Sequence, residues 1–262
     1  MNKVKSLLFV PVTEKFLSKV ESITANAIIF DLEDSIALNK KEDSRILLRD
    51  FLDNSNIYKN AKWFVRINKE YAEKELQLYN NTNIDGYMLP KFENLQNFIN
   101  LKNAMNNKKV IALIETAQGI LNIDKIAKSD LITAFAFGAE DYTASMNMKN
   151  SFEYLSYPKS KLITYAKANK KFVYDTPCFN VKDCDFIKQD VIKSAEFGFD
   201  GKMAINPIQI NIINNIFNDY DLDYLKYIVS EFDKSENGVL VIGDKIYEKM
   251  HIARFKKILN NI

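Results

Sequence analysis

VIALIETAQGILNIDKIAKSDLITAFAFGAED, residues 110–141, holds two short apolar runs, Val110–Glu115 and Ile132–Gly138, on either side of a longer amphipathic segment. The first run closes on Glu115 and the second leads into Glu140 and Asp141. Short runs rich in β-branched and aromatic residues, alternating with helical-length segments, mark a parallel sheet with helical crossovers. The same unit recurs along the chain. Its other runs are Ser6–Pro11, Ala27–Asp31, Trp63–Ile67, Gly86–Pro90, Phe172–Thr176 and Gly201–Ile205, which makes eight in all. Most are nearly all apolar, as expected where barrel interior covers one face and helices the other. Helices are predicted between them, among them Lys40–Leu52 and Lys159–Ala168 after Pro158. Eight repeats predict one closed (β/α)8 TIM barrel of the α/β class over residues 1–220, with an open doubly wound sheet as the alternative. Residues 221–262 fall outside the repeat and predict a C-terminal helical extension. It reads as a helix Leu222–Lys234, a polar turn Ser235–Gly238, a short Val239–Ile242 run and a last helix Tyr247–Leu259.

Composition narrows the function. An apolar fraction of 47% with 27% charged residues is that of a soluble globular protein with a sizeable core. The 36 Lys and Arg nearly balance the 34 Asp and Glu, so no net field draws in nucleic acid or a membrane surface, and a small-molecule partner is expected. Basic residues interleave with acids, which gives no nucleic-acid face. With seven glycines the chain has neither G-x-G-x-x-G nor G-x4-G-K-[ST], so dinucleotide and P-loop sites lack support. The start, MNKVKSLLFVPVTEK, is broken by Pro11 and followed by no small-residue cleavage site; it reads as a first strand. No stretch approaches the roughly 20 apolar residues of a membrane helix, and a cytoplasmic location is expected. Cys178 and Cys184 match no common zinc spacing and read as free thiols. His251 is the only histidine, which excludes a histidine metal cluster or a serine–histidine triad in the main body.

In a barrel, catalytic groups come from the C-terminal ends of strands and the loops that follow. Charges gather there: Asp31, Glu33 and Asp34; Arg66 with Asn68; Lys91 with Glu93; Glu115; Glu140 and Asp141; and Asp175. One such residue usually only begins a solvated loop. The joint pattern says more. Glu115 and Asp141 come from neighbouring strands and can converge on one hard cation, since magnesium takes one or two carboxylates and fills its remaining positions with water or substrate oxygens. Arg66 is either paired internally with a strand-end carboxylate or reserved for an anion that its planar fork suits. The Asp31–Asp34 cluster is either an acidic group supporting the site or a helix N-cap region.

Segments LLFVP at 7–11, AIIFDLEDSI at 27–36, FVRIN at 64–68, GYMLPKFE at 86–93, IALIETAQGI at 111–120, FGAEDY at 137–142, YPKSKL at 157–162 and GFDGKMAINPIQI at 198–210 follow one another in order. In this ordered set the chain resembles the citrate lyase beta subunit and its relatives among the acyl-CoA lyases. The resemblance implies magnesium on Glu115 and Asp141, substrate contact by Arg66 and Glu115, and Lys91 near the coenzyme A part. The sequence does not identify the general base, for which a carboxylate of Asp31, Glu33, Asp34 or the tail could serve. The aldolase branch of that family has D-L-E-H where this chain reads Asp31-Leu32-Glu33-Asp34, which favours the lyase branch. Two positions depart from the pattern: Asn206 stands where relatives have histidine, and Tyr247 where the tail of many relatives carries an acid. The implied activity is magnesium-dependent cleavage, or formation, of a carbon–carbon bond in a carboxylated 3-hydroxyacyl thioester of the citryl-CoA or malyl-CoA kind. The alternatives are a metal-dependent aldolase on a free 2-keto acid and a non-catalytic assembly subunit. Relatives cover the active-site mouth with the tail region, so a homo-oligomer, a trimer or hexamer, is expected, with Tyr247 supplying shape or a phenol.

Overall fold

The computed structural model describes residues 4–54, 61–99, 101–218, 222–235 and 238–259. The eight apolar runs form eight parallel strands: β1 Ser6–Pro11, β2 Ala27–Asp31, β3 Lys62–Arg66, β4 Gly86–Leu89, β5 Lys109–Ile114, β6 Ala134–Phe137, β7 Phe172–Asp175 and β8 Gly201–Ala204. Each pairs with the next, and β8 returns to β1, so the sheet closes into a (β/α)8 barrel and the doubly wound alternative is excluded. Six strands, β3 to β8, end one residue before their apolar run does, because the last residue turns into the loop once the ladder ends. Pro158 lies inside the Ser156–Ala168 helix; a proline is tolerated in the first turn, where backbone N–H groups have no helical partner.

Side chains alternate along each strand, and the alternation sorts two cores. One fills the barrel, with Leu7, Ala27, Ile29, Phe64, Met88, Ile111, Leu113, Ala134, Ala136, Tyr174 and Met203. The other lies between strands and helices and takes the intervening residues, such as Leu8, Ile28, Phe30, Val65, Ala112, Ile114, Phe135 and Val173. An inner and an outer layer, both apolar, account for strands that read as continuous hydrophobic runs.

Two compact units divide the chain, Met1–Phe217 and Asn218–Ile262. The boundary expected between 220 and 221, and positions 236–237 of the expected polar turn, lie outside the described residues. Within the second unit the Leu222–Lys234 helix packs Ile228, Val229 and Phe232 against Leu240, Ile242, Tyr247, Ile252 and Phe255. That helix therefore finds an apolar partner surface inside its own unit. Val239–Ile242 is strand β9, paired antiparallel with β10, Lys245–Glu248. The last helix begins at Lys249, not at Tyr247 as its periodicity predicts. The missed feature is a two-residue hairpin turn at Gly243-Asp244, where Gly243 adopts φ +57° at no steric cost. Tyr247 is buried and its hydroxyl meets that of Tyr224 at 3.2 Å. It thus packs in the apolar cluster of its own unit.

Candidate active site

The inward alternation continues past the barrel core for one more layer. Two residues beyond Phe9, Ile29, Phe64, Leu113, Ala136, Tyr174 and Met203 stand Pro11, Asp31, Arg66, Glu115, Gly138, Thr176 and Ile205. Together with Asp34, Asp141 and Phe179 these line a cavity of about 400 Å³ at the C-terminal mouth. The same rule removes Asp175, which the sequence groups with the site charges. Asp175 neighbours the inward Tyr174 and so faces outward, where Lys159, Lys202 and Ser194 hold it within a fully buried ionic cluster.

Of the two readings open for Arg66, the internal pairing is what the structure holds. Its Nε and Nη2 donate to the two oxygens of Asp31 at 2.8 and 2.7 Å, and Nη1 donates to Asp34 at 2.9 Å and lies 3.0 Å from Glu33. The register makes this pair, since Asp31 and Arg66 are cross-strand partners at the ends of β2 and β3. Burial alone would raise the Asp31 carboxyl, but the Arg66 charge and its hydrogen bonds hold it below its ordinary value. Asp34 is different: it is 61% exposed, and its bond to Nη1 is the one most easily given up. Asp31 also accepts the Glu33 and Ser35 N–H groups, which coils the 31–35 loop around the carboxylate.

That loop is braced from outside by residues that strand-end reasoning passes over. Lys41 donates to the carbonyls of Leu32 and Glu33 and to Asn68 Oδ1; Asn68 donates to the Leu32 carbonyl and to buried Glu75. Glu75 in turn accepts the Asn68 N–H and Arg45 Nε. Lys41, Arg45 and Glu75 lie on helices, and no local sequence signal ties them to the mouth.

Glu115 follows β5 directly and is buried. Its Oε1 accepts the Lys91 N–H at 2.7 Å. On its other side lies Gly138, where a Cβ would stand 2.6 Å from Oε2 and 2.7 Å from the Glu115 Cβ. Gly138 is thus glycine for space, and inward alternation along β6 is the signal that could have found it. Asp141 is not at the strand end but in the first turn of the Ala139–Ser145 helix after β6. Burial pushes Glu115 up to about 8, with the charges of Glu33 and Asp141 adding to the rise. Burial likewise pushes Glu33 up to about 7 against the pull of Arg66, with Asp34 and Asp31 adding to it. Glu33 Oε2 is buried without a hydrogen bond. Lys91 brings its ammonium to 3.8 Å from Glu33 and 3.9 Å from Asp141.

Asp31, Asp34, Glu115, Glu140 and Asp141 therefore line the cavity with Arg66, and Glu33 and Lys91 stand beside it. The carboxylates outnumber the cations, and buried Glu115 with half-exposed Asp141 offers hard oxygen ligands that fit a divalent cation. Among the described residues no three His, Cys, Asp or Glu converge into a group that could hold a metal ion, so such a cation would take one or two carboxylates from the chain. Asn206, the departure noted in the strand-eight motif, accepts the Ile208 N–H at 3.1 Å and so serves the start of the Ile208–Asn218 helix.

Residues 5–207 match the HpcH/HpaI aldolase/citrate lyase family. The chain is 27% identical to a (3S)-malyl-CoA thioesterase of Cereibacter sphaeroides, over 97% of this chain and 93% of the relative. It is 28% identical to the citrate lyase subunit beta of Haemophilus influenzae, over 97% and 95%. Among solved structures, a citrate lyase beta subunit of Mycobacterium tuberculosis complexed with oxaloacetate and magnesium aligns at TM-score 0.71 and 26% identity, over 83% of this chain and 99% of that one. CitE of the same organism, in complex with magnesium, acetoacetate and coenzyme A, aligns at TM-score 0.84 and 22% identity over 100% and 99%, a likeness of fold. With its ordered motifs, its closed barrel and this match, the chain belongs to the HpcH/HpaI aldolase/citrate lyase family and is a lyase of the citrate lyase beta-subunit-like kind.

Proposed function

We propose that the chain is a magnesium-dependent carbon–carbon lyase that cleaves a carboxylated 3-hydroxyacyl thioester, of the citryl-CoA or malyl-CoA kind, or forms it in reverse. The observation that carries this reading is the socket around Glu115, closed by the Lys91 N–H and by Gly138, beside Asp141 and across the mouth from Arg66. Magnesium bound by Glu115 and Asp141 supplies Lewis acidity toward the substrate's carboxylate and hydroxyl oxygens. Among the three carboxylates of the 31–34 loop, Asp31 is committed to Arg66 and Asp34 is exposed, which leaves Glu33, whose Oε2 is buried without a hydrogen bond, to take the hydroxyl proton. As that proton leaves, the bond between C2 and C3 breaks, C3 becomes a carbonyl, and the electron pair passes to the thioester as an enolate. A proton returned to C2 completes an acetyl thioester. Arg66 Nη1, turned from Asp34 to the substrate, stabilises the oxygen on which the charge develops. Asp31 positions Arg66 by the paired bonds along its Nε edge.

Support comes from the relatives named for citrate lyase and malyl-CoA chemistry, and from the magnesium and oxaloacetate in the solved relative at 26% identity. The reading includes a cytoplasmic location and a homo-oligomer, a trimer or hexamer. No described helix is long and apolar enough to cross a membrane, both cysteines are free thiols, and exposed Val241, Ile246 and Met250 leave the second unit with apolar surface. Incubating the chain with malyl-CoA or citryl-CoA, with and without Mg2+, tests the reaction. Acetyl-CoA plus a carbonyl product is expected, with Glu115→Gln and Asp141→Asn inactive but folded. Free coenzyme A without a carbonyl product would replace cleavage by thioester hydrolysis. Calorimetry in which acetyl-CoA does not bind would favour an aldolase on a free 2-keto acid. A monomer in light scattering would remove the oligomer.

A further inference from the structure

Lys91 joins the acidic mouth through both its backbone and its side chain. Its φ is +46°, in the left-handed region that side chains with a Cβ rarely adopt, and this turn at the exit of β4 aims its N–H at Glu115 Oε1. A strained non-glycine residue at a site mouth is held there by its surroundings and points to function. The ammonium stands 3.8 Å from Glu33 Oε1 and 3.9 Å from Asp141 Oδ2, beyond hydrogen-bond reach of both. It therefore neutralises charge without being fastened. Arg66, the other cation of the mouth, is only 10% exposed and tied to three carboxylates, whereas the Lys91 side chain is 42% exposed and has room to leave.

We propose that the Lys91 ammonium is a built-in counter-cation for the carboxylates of the mouth and gives way toward solvent when a divalent ion takes Asp141 and Glu115. The inference rests on the metal site of the proposed function. A divalent ion at Asp141 meets a positive charge 3.9 Å from that carboxylate, so binding moves the ammonium or bears the repulsion. Lys91 accordingly sets the metal affinity below what the carboxylates alone would give. Its backbone N–H meanwhile keeps Glu115 in place in either state.

The two contributions separate by mutation. Lys91→Asn removes the ammonium but suits the backbone, since asparagine visits the left-handed region far more readily than lysine. Lys91→Gly is a second charge-free variant of the same backbone, and Lys91→Arg keeps the charge. Each full-length chain, stripped with chelator, is titrated with Mg2+ by calorimetry and with Mn2+ by electron paramagnetic resonance. Lys91→Asn and Lys91→Gly are expected to bind either ion roughly fivefold or more tightly than wild type, with Lys91→Arg unchanged. Melting in chelator should fall for the charge-free variants, and saturating Mg2+ should close the gap. Equal or weaker metal binding by both charge-free variants overturns this inference alone. A wild-type chain that binds neither ion overturns the metal site and this inference with it.

Discussion

Gly138→Ala adds a single methyl group, and the geometry around it fixes where the effect must fall. The new Cβ would lie 2.6 Å from Glu115 Oε2 and 2.7 Å from the Glu115 Cβ. A carboxylate oxygen can rotate away; the Glu115 Cβ cannot, because the Gly138 N–H bond to the Ile114 carbonyl at 3.0 Å holds the two strands together. On the far side the Lys91 N–H blocks an easy retreat of Oε1. Gly138 has φ −99°, open to any residue, so backbone strain plays no part. Overpacking of this kind costs about 1–3 kcal/mol. Stiffening the unfolded chain by replacing glycine returns about 0.4–1 kcal/mol, which leaves a net loss of roughly 1–2 kcal/mol. For a chain of this size that is a fall in Tm of about 2–8 °C. The larger effect is on the metal. Tilting Glu115 out of its socket should weaken Mg2+ binding about 10–100-fold, as for other changes that misorient a metal-bound carboxylate. Scanning calorimetry in chelator and Mg2+ titration of the variant measure both. Wild-type melting together with wild-type Mg2+ affinity would show that Glu115 does not rest against Gly138, and the account of the mouth would fail with it.

Arg66→Lys should lower kcat/KM by about 100-fold or more without rescue by the retained charge, because lysine lacks the fork that meets both Asp31 oxygens; an unchanged rate would leave Arg66 with a purely structural role. Lys202→Met should destabilise the barrel by about 3–5 kcal/mol, since it strands Asp190 and takes one of two ammonium partners from fully buried Asp175. Denaturant melts should show Lys202→Met/Asp190→Asn recovering part of that loss; a double variant as unstable as the sum of its parts would deny the coupling. Despite burial, Lys202 and Lys159 hold Asp175 at about 2, below its ordinary 3.8. The depressed value means its contribution, roughly 2 kcal/mol, is fully present above about pH 4–5 and is lost as pH falls through about 2. Asp175→Asn should therefore flatten the acid limb of stability against pH between 4 and 2, and an unaltered limb would refute the assignment.

Local chemistry specifies the eight strands, while the pairing of β8 with β1 that closes them into a barrel is tertiary. Eight short runs with apolar residues at both parities require a sheet covered on both faces, and all eight are strands of the closed barrel. The Leu222–Lys234 helix and the Val239–Ile242 strand were equally legible, because each carries its pattern within its own length. The hairpin at Gly243-Asp244 is not legible locally, since four residues of β10 run without a break into the helical pattern of the last helix. At the mouth, sequence position placed Asp31, Arg66, Glu115 and Asp141 at strand exits but could not say which charges meet. Strand register made Asp31 the partner of Arg66 and turned Asp175 away from the site, although both carboxylates end strands. The positive φ of Lys91 and the missing Cβ of Gly138 matter only because of what stands opposite them, and both face Glu115. The brace from Lys41, Asn68, Glu75 and Arg45 spans two helices and a strand exit. A strand is specified by neighbours in the chain, whereas the charge state of a buried carboxylate depends on every group within a few ångströms, most of them distant in sequence, so the fold was readable and the electrostatics of the site had to await the tertiary structure.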